Sequence, residues 1–316
     1  MKRHQGYINL DPSDRGVSVA IGNFDGVHLG HQSVIALAKA AAAELDCPVG
    51  VVTFEPHPRS FFAPNAPAFR LMNSEARAHR MEKLGVDHLF EIGFDARTAA
   101  MTADHFVAEI LVAGLGVRHV VVGADFRYGR ARRGDAYLLQ ALGRGHRFEV
   151  TIAPLVGSST QDYSSTAIRK ALAAGDPGEA ARILGHWHRI DGTVSRGDQR
   201  GRDMGYPTAN LNLAGLHLPK FGVYAVLFDV LSGPHAGSYR GVASLGERPT
   251  FGAQAPNLET HVFDFADDIY DQEVSVALVE FLRPEEKYDS PEVLIAQMDR
   301  DAADARAALD RIGAAP

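Results

Sequence analysis

The sequence predicts an α/β protein with two domains: an N-terminal Rossmann-like domain with a parallel sheet, and a C-terminal small antiparallel β-barrel that ends in a helix. Three observations predict this. A chain of 316 residues exceeds the usual size of one domain. As far as Leu184, short β-branched runs alternate with longer helical runs. Beyond it, short strands follow one another closely between Gly and Pro turns, so we place the domains at 1–186 and 187–316.

In the N-terminal domain, the predicted strands are separated by amphipathic helical stretches such as Ser74–Leu84 and Ala103–Ala113. This alternation implies right-handed crossovers and a mainly parallel sheet. Ligands of such sheets bind beyond the carboxyl ends of the strands, so the segments that follow strands are the candidate sites. The predicted strands are Val17–Ile21, Val49–Phe54, His88–Ile92, His119–Val122 and Phe148–Ile152.

The C-terminal domain follows a last helical segment, Asp176–Leu184. Its closely spaced strands favour a small antiparallel barrel. The tail, Ser290–Arg311, is predicted to be helical, because Ser290 is a suitable N-cap and Pro291 fits the first helical position. The predicted strands are Arg189–Val194, Val223–Leu231, Tyr239–Ser244, Leu258–Phe265 and Val274–Phe281.

Composition and charge argue against several classes of protein. With 46% apolar and 22% charged residues, the chain is typical of a folded globular protein. Its net charge of −7 argues against a nucleic-acid partner, although a few local donors still hold a small anionic ligand. The single cysteine, Cys47, allows no intramolecular disulfide and no cysteine-based zinc site. No signal peptide or apolar membrane run is present, so we expect a cytoplasmic protein with no membrane partner.

The segment from Gly22 to His31 follows a predicted strand directly and opens a helix. A helix N-terminus offers free backbone N–H groups and a partial positive charge, both of which suit a phosphate. His28 and His31 are three residues apart at the start of this helix, so both rings can face one point. The phosphate site predicted here contains Gly22, Asn23, Phe24, Asp25, Gly26, His28 and His31.

Two other interpretations apply to a bare His-x-x-His pair. It is most often a structural turn with two surface histidines, and it can also bind zinc, although no third ligand lies nearby in the sequence. The full ten-residue string between a strand and a helix is far more specific, so we favour the phosphate site. In nucleotidyl transfer, an acceptor phosphate displaces pyrophosphate from the α-phosphorus, and the protein supplies alignment and positive donors.

The string resembles the signature of nucleotidyltransferases with a His-x-Gly-His core, and its longer form resembles prokaryotic FAD synthetases. Three further segments fit that family: Thr53–Pro58, Val122–Gly129 and Ser164–Arg169. The resemblance implies a nucleotidyltransferase fold and the transfer of an adenylyl group from ATP to FMN, which gives FAD and pyrophosphate. It implies catalytic roles for His28, His31 and Arg169.

Ser164 and Ser165 are good N-caps for the helix that carries Arg169. By the resemblance, these two hydroxyls, that of Thr166 and the Arg169 fork clamp a triphosphate or the leaving pyrophosphate. Seen alone, Ser-Ser-Thr is equally well explained as a helix cap. By the same resemblance, three residues in a loop beyond a predicted strand border the flavin and nucleotide pocket: Asp125, Phe126 and Arg127.

A second candidate site lies in the C-terminal domain. No P-loop motif occurs in the sequence, so this domain is not a P-loop kinase. Instead, a stretch of spaced glycines, which permit a backbone nest for phosphates, leads into a rigid proline. A Gly-rich stretch alone is most often a loop. The phosphate-binding residues predicted here are Gly192, Gly197, Gly201, Gly205, Pro207, Thr208 and Asn210.

Thr208 and Asn210 are two residues apart, so in an extended chain their side chains point the same way. A hydroxyl and an amide oxygen on one side can hold Mg²⁺, which keeps waters and takes phosphate oxygens as its other ligands. We therefore predict a Mg²⁺ site at these two residues, with ATP as the co-substrate. Hard oxygen ligands also accept Mn²⁺.

The string from Gly205 to Asn210 closely resembles the riboflavin kinase signature, and later segments agree with it, so the resemblance covers nearly the whole chain. It implies ATP-dependent phosphorylation of riboflavin to FMN. The ribityl hydroxyl must lose a proton as it attacks the γ-phosphate, and a positioned carboxylate contributes ~10²–10⁴-fold. Glu259 occupies the family's base position, and Asp264 and Asp267 are competitors that spacing alone does not separate from it.

One residue departs from the family pattern: Ser244 stands where relatives usually carry Asn, and serine has a shorter reach. The leading hypothesis is one bifunctional enzyme that makes FMN and then FAD at two separate sites. Two alternatives stay open: an enzyme with one live activity, whose kinase site Ser244 weakens, and a flavin-binding regulatory protein without catalysis. Ligand binding alone would not need a proton acceptor at Glu259, which argues against the last.

Overall fold

The computed structural model describes residues 1–158, 161–196, 205–247 and 256–312. By its internal contacts the chain divides into two compact units, 1–67 with 77–163, and 68–76 with 164–316. The predicted fold class is confirmed. The first unit has a parallel sheet with helices, and the second has a nearly closed antiparallel barrel followed by a helix.

A six-stranded, wholly parallel sheet forms the centre of the first unit. Its strands are β1 (Lys2–His4), β2 (Ser18–Ile21), β3 (Val49–Glu55), β4 (His88–Gly93), β5 (His119–Gly123) and β8 (Glu149–Ala153), with β6 (Arg127–Tyr128) and β7 (Gly134–Asp135) as a short separate pair between them. The strand order is β1-β4-β3-β2-β5-β8. Because both faces of this sheet are covered, its central strands are runs of buried residues: all four residues of β2 and the first six of β3 are buried.

The helices of the N-terminal part begin at side-chain caps. Thr102 and Asp135, for example, each accept a hydrogen bond from the backbone N–H three residues further on. The helices are α1 (Leu29–Glu44), α2 (Pro58–Phe62), α3 (Ser74–Lys83), α4 (Ala96–Ala100), α5 (Ala103–His105), which continues as a π-helical stretch (Phe106–Gly114), and α6 (Ala136–His146). A short hairpin follows, formed by β9 (Gly157–Ser158) and β10 (Gln161–Asp162).

An antiparallel barrel forms the centre of the second unit. After α7 (Ser165–Ala174) and α8 (Pro177–Leu184) come β11 (His188–Thr193), β12 (Ala209–Asn212), β13 (Gly222–Val230), β14 (Gly237–Glu247), β15 (Pro256–Val262) and β16 (Glu273–Arg283). The strand order is β11-β16-β13-β14-β15-β12. An isolated antiparallel bridge between Ser195 and Asn210 joins the two edges, so the barrel is nearly closed.

The C-terminal helix, α9 (Pro291–Arg311), begins as the sequence predicts. The Ser290 hydroxyl accepts a hydrogen bond from the Val293 N–H (3.4 Å), and Pro291 occupies the first helical position. The buried face of this helix has Asp301, which pairs with Arg283, and a group of small and apolar residues that pack against the outside of the barrel. The cluster includes Ala305, Ala308 and Leu309 from α9 and Val223, Ala225 and Val279 from the barrel.

Candidate active sites

The parallel sheet has its topological switch point at β2. The chain runs from β2 to β3 and β4 on one side, and later returns to β5 on the other side of β2. The crevice for ligands in such sheets lies at this point, beyond the carboxyl ends of the strands. The segment from Gly22 to His28 follows β2, and the loop from Ala124 to Phe126 follows β5, so the fold brings two of the predicted segments to the same edge.

The loop after β2 has an uncommon backbone. Phe24, Gly26 and Val27 all have positive φ, at 51°, 88° and 47°. For a β-branched residue such as Val27 this conformation is an outlier that the surroundings must enforce. Phe24 and Val27 are fully buried, the Val27 N–H donates to the Phe24 carbonyl (3.2 Å), and the Gln32 amide donates to the Val27 carbonyl (2.9 Å). Such strain is typical of ligand sites.

His28 and His31 form a stacked pair at the start of α1. His28 is the N-cap residue, and its Nδ1 accepts a hydrogen bond from the His31 backbone N–H (3.3 Å). The two ring centroids are 3.6 Å apart with an interplanar angle of 19°. A Cβ at Gly30 would lie 3.1 Å from the His28 ring, which explains the glycine between the two histidines.

Both imidazoles are neutral at pH 7. Burial lowers the pKa of His28 to about 4 and lowers that of His31 well below its ordinary value, with His28 as a further cause. Nδ1 of His31 is buried and has no hydrogen-bond partner, which is costly without a ligand. A phosphate here would accept hydrogen bonds from these rings and, by its charge, favour their protonated forms.

The rest of the string holds this loop against β3. The Gly22 N–H donates to the Val52 carbonyl (3.1 Å), and the Thr53 hydroxyl donates to the Asn23 carbonyl (3.3 Å). A Cβ at Gly22 would lie 3.2 Å from the Phe24 ring, so a side chain at that position would have to push the ring aside by a few tenths of an ångström. Asp25 is buried, at 5% exposure, while the Asn23 side chain is exposed.

The three predicted flavin contacts follow β5. Asp125 and Arg127 are exposed and Phe126 is half-buried, with its ring stacked on that of Tyr128 at 5.5 Å. Arg127 pairs with Asp135 across the β6–β7 ribbon (3.3 Å). The loop thus presents one aromatic face and charged groups at the switch point, which suits a flat polar heterocycle.

Ser164, Ser165, Thr166 and Arg169 lie at the start of α7, in the second compact unit. Ser164 is the N-cap, and its hydroxyl accepts from the Ala167 N–H (3.2 Å), while Ser165 begins the helix. Nε of the half-buried Arg169 donates to the Phe69 carbonyl (2.6 Å), and its guanidinium lies 5.4 Å from the Phe69 ring centroid. This arrangement fixes the direction of the Arg169 fork.

In the barrel, two predicted site residues and Ser244, which departs from the family pattern, lie side by side on neighbouring strands. Asn210 of β12 pairs with Glu259 of β15, and Glu259 pairs with Ser244 of β14. Cross-strand partners project to the same side of a sheet, so all three side chains share a face. Ser244, the departure from the family pattern, is therefore the direct neighbour of Glu259.

One amide outside the predicted set, that of Asn257, connects Asn210 and Glu259. Nδ2 of Asn257 donates to Oδ1 of Asn210 (3.0 Å) and to Oε1 of Glu259 (3.2 Å). Asn257 lies two residues before Glu259 on the same strand, so the period of two could have indicated it. The Asn210 amide in turn donates to the Thr208 carbonyl (3.2 Å).

The end of the predicted Gly-rich stretch, residues 205–207, contacts helix α9 and His261. Tyr206 donates a short hydrogen bond to Asp299 of α9, and burial, with that carboxylate, raises the pKa of Tyr206 to about 12. The Pro207 carbonyl lies 3.0 Å from Nδ1 of His261. Gly205 has φ +84°, whereas Gly192 lies inside β11. Gly197 and Gly201 lie outside the described residues.

A cavity of about 150 Å³ opens beside Thr208 and Asn210 in the second unit. Most of its lining is apolar, from residues such as Val194, Val262 and Ile269, while Asp267 and Asp268 add carboxylates. The other competitor, Asp264, does not line the cavity. Both its oxygens accept hydrogen bonds from Arg306, which holds its pKa below the ordinary value.

Comparisons with known proteins give the family of this chain. The FAD synthetase family model matches residues 10–167, and the riboflavin kinase family model matches residues 184–309. A bifunctional riboflavin kinase/FMN adenylyltransferase from Pseudomonas fluorescens is 42% identical over 309 residues, which cover 97% of each chain. The chain belongs to the bifunctional riboflavin kinase/FMN adenylyltransferase family. Its N-terminal part is the FAD synthetase half and its C-terminal part is the riboflavin kinase half.

Other members of the family are similar over most of their length. The enzyme of the same name from Escherichia coli K12 is 38% identical over 97% of both chains, and that from Bacillus subtilis is 33% identical over 91% of this chain and 90% of its own. A solved structure described as a macrolide-efflux protein from Streptococcus pneumoniae has a TM-score of 0.81 at 31% identity, covering 96% of this chain and 98% of that one. Within the described part of this chain, no helix has the length and apolar character to cross a membrane.

Proposed function

We propose that residues 187–316 phosphorylate riboflavin with ATP and that residues 1–186 transfer an adenylyl group from a second ATP to the FMN so formed. The observation that carries this proposal is the separation of the two candidate centres. The His28–His31 pair belongs to the first compact unit, and the Asn210–Glu259 pair belongs to the second. The family models support the domain limits, since they leave only residues 168–183 between them.

In the kinase half, Glu259 is the proposed base. Its carboxylate takes the proton of the ribityl hydroxyl as the oxygen attacks the γ-phosphorus and ADP leaves. The Asn257 amide donates to one oxygen of this carboxylate, which orients it. Because Asn257 also holds Asn210, the base and the phosphate-binding side chain are oriented by the same group.

In the adenylyltransferase half, no side chain need be attacked. A phosphate oxygen of FMN attacks the α-phosphorus of ATP, and pyrophosphate leaves. We propose that His28 and His31 donate hydrogen bonds to the phosphates. Ser164, Ser165, Thr166 and Arg169 stay predicted phosphate ligands, on the family resemblance alone. The loop of Asp125, Phe126 and Arg127 would border the flavin.

The donor chemistry of the kinase site suits Mg²⁺. The Thr208 hydroxyl and the Asn210 amide oxygen are hard oxygen ligands next to the cavity, and the bond from the Asn210 amide to the Thr208 carbonyl fixes which way the amide points. We propose that these two residues hold the metal ion of the ATP complex. The ion, when bound, neutralises charge that develops on the phosphates. A cytoplasmic location is also proposed, because the single cysteine suits a reducing compartment.

The decisive experiment is to incubate the pure protein with riboflavin, ATP and Mg²⁺ and to separate the flavins by chromatography over time. We expect FMN to form first and FAD to follow, with release of ADP and then pyrophosphate. FMN supplied directly should become FAD without any kinase turnover. If riboflavin stays unchanged while added FMN becomes FAD, then Ser244 marks a weakened kinase site. If both flavins stay unchanged, the chain only binds flavins and this proposal fails.

A further inference from the structure

A cluster of three metal-ligand side chains lies in the first unit, and neither proposed active site uses it. His4 ends β1, Asp14 ends the short 3₁₀ turn Pro12–Asp14, and His88 begins β4. One ligand atom from each lies within 4.8 Å of the other two. The three residues come from separate segments of the chain, so folding alone brings them together.

The distances resemble those of an open metal site. Nε2 of His4 lies 3.0 Å from Nδ1 of His88, which in turn lies 4.0 Å from Oδ1 of Asp14. Ligand atoms of a tetrahedral zinc ion, with bonds of about 2.0–2.2 Å, lie about 3.3 Å apart. The two measured distances differ from this value by less than an ångström, and the third pair of atoms is within 4.8 Å.

The two imidazoles are prepared for this role. Nε2 of His4 and Nδ1 of His88 lie within hydrogen-bond distance of each other, and imidazole nitrogens are the commonest metal ligands in proteins. His88 and Asp14 are 6% and 7% exposed, and the Phe90 ring stacks on both imidazoles, which holds their planes.

The ammonium group of Lys2 already pairs with one residue of this cluster. Nζ of Lys2 lies 2.6 Å from Oδ1 of Asp14 and balances its charge. The Lys2 side chain is 62% exposed, so it can swing into solvent when another cation arrives. Asp11 and Asp87 add negative charge near Lys2 and His88 respectively.

We propose that His4, Asp14 and His88 bind a divalent transition-metal ion such as Zn²⁺, with solvent completing the coordination. Two imidazoles and one carboxylate select zinc or its neighbours over Mg²⁺, which prefers oxygen ligands. The ion would fasten β1 and the Pro12–Asp14 turn to β4. The site is independent of the catalytic proposals, because none of its three residues belongs to either candidate centre.

The test is a zinc titration of the full chain after removal of metals by a chelator, with a chromophoric chelator as competitor and no ATP present. We expect one equivalent to bind, unaffected by excess Mg²⁺, and the melting temperature to rise with zinc. His88→Ala and Asp14→Asn should each weaken binding about tenfold or more. Lys2→Met should strengthen it about two- to fivefold, because it removes a competing charge.

Two control variants make the result specific. His146→Ala removes an exposed histidine of α6 and should bind zinc as the parent does. His28→Ala removes one ring of the stacked His28–His31 pair, and this variant should also bind one equivalent of zinc. The proposal fails if the parent takes up no zinc, or if the equivalent disappears with His28→Ala and survives His88→Ala. It also fails if Lys2→Met leaves the affinity for zinc unchanged. That outcome does not depend on whether the His88→Ala variant folds.

Discussion

Asn210 and Glu259 are direct partners across the β12–β15 strand pair, and a single amide, that of Asn257, donates to both side chains. This relationship joins the residue proposed for the metal ion to the residue proposed as the base. Both groups are proposed to act on the same γ-phosphate, so their mutual position should matter more than the strength of either contact.

Glu259→Gln keeps the size of the side chain and removes its basicity. We expect the rate of FMN formation from riboflavin to fall about 10²–10⁴-fold, while added FMN still becomes FAD at the parental rate. The measurement is chromatography of both flavins under saturating ATP. Asp264→Asn is the matched control, because Asp264 is paired with Arg306, and it should retain kinase activity. A large kinase loss in Asp264→Asn with none in Glu259→Gln would contradict the assignment of the base.

Asn257→Ala removes the donor that holds Asn210 and Glu259 together. We expect kcat of the kinase reaction to fall about ten- to hundredfold and the Mg²⁺ concentration for half-maximal rate to rise, since the variant frees a proposed metal ligand. The control is Asn212→Ala, which changes an exposed residue of the neighbouring strand. If only the melting temperature changes and the Mg²⁺ dependence does not, Asn257 is structural.

His28→Ala tests the other centre. Removal of one preorganised donor to the phosphates should lower FAD formation about 10²–10³-fold, while FMN still accumulates from riboflavin. The N-cap of α1 is lost as well, so stability falls by about 1 kcal/mol and must be measured beside the rates. Equal loss of both activities in a folded variant would show that the two reactions do not have separate sites.

The depressed pKa values predict a pH dependence of stability. Burial lowers the pKa of His28 to about 4, whereas an unfolded histidine titrates near 6.5, so the unfolded chain binds more protons between these values. Stability is therefore kept above about pH 6.5 and lost as the pH falls towards 4. His28→Asn keeps a good N-cap and removes this ring, so at about pH 5 it should avoid about 2 kcal/mol of the loss. Thermal melting of both proteins at neutral and acid pH measures this, and parallel curves would contradict it.

The local strings are enough to predict both halves of the molecule, because each family signature is a run of consecutive residues. The features that the sequence does not predict depend on pairing between distant segments. β1 was missed because Lys2–His4 is short and polar, and only its pairing with β4 makes it a strand. The row of Asn210, Glu259 and Ser244 depends on the register of three strands, which composition does not determine. The stacking of His28 on His31, by contrast, follows from their spacing at a helix start.

The last prediction concerns Thr260, which lines the cavity of the barrel and is fully buried, yet whose hydroxyl has no hydrogen-bond partner. Such a group costs about 1–3 kcal/mol unless a ligand satisfies it. Thr260→Val has nearly the same shape without the hydroxyl. It should leave the melting temperature unchanged or raised, and it should increase KM for one of the two kinase substrates about three- to tenfold. Thr260→Ser should restore the parental KM, and the conversion of added FMN to FAD should be the same in all three proteins. A lower melting temperature with unchanged kinase constants would mean that the hydroxyl serves the fold and no substrate.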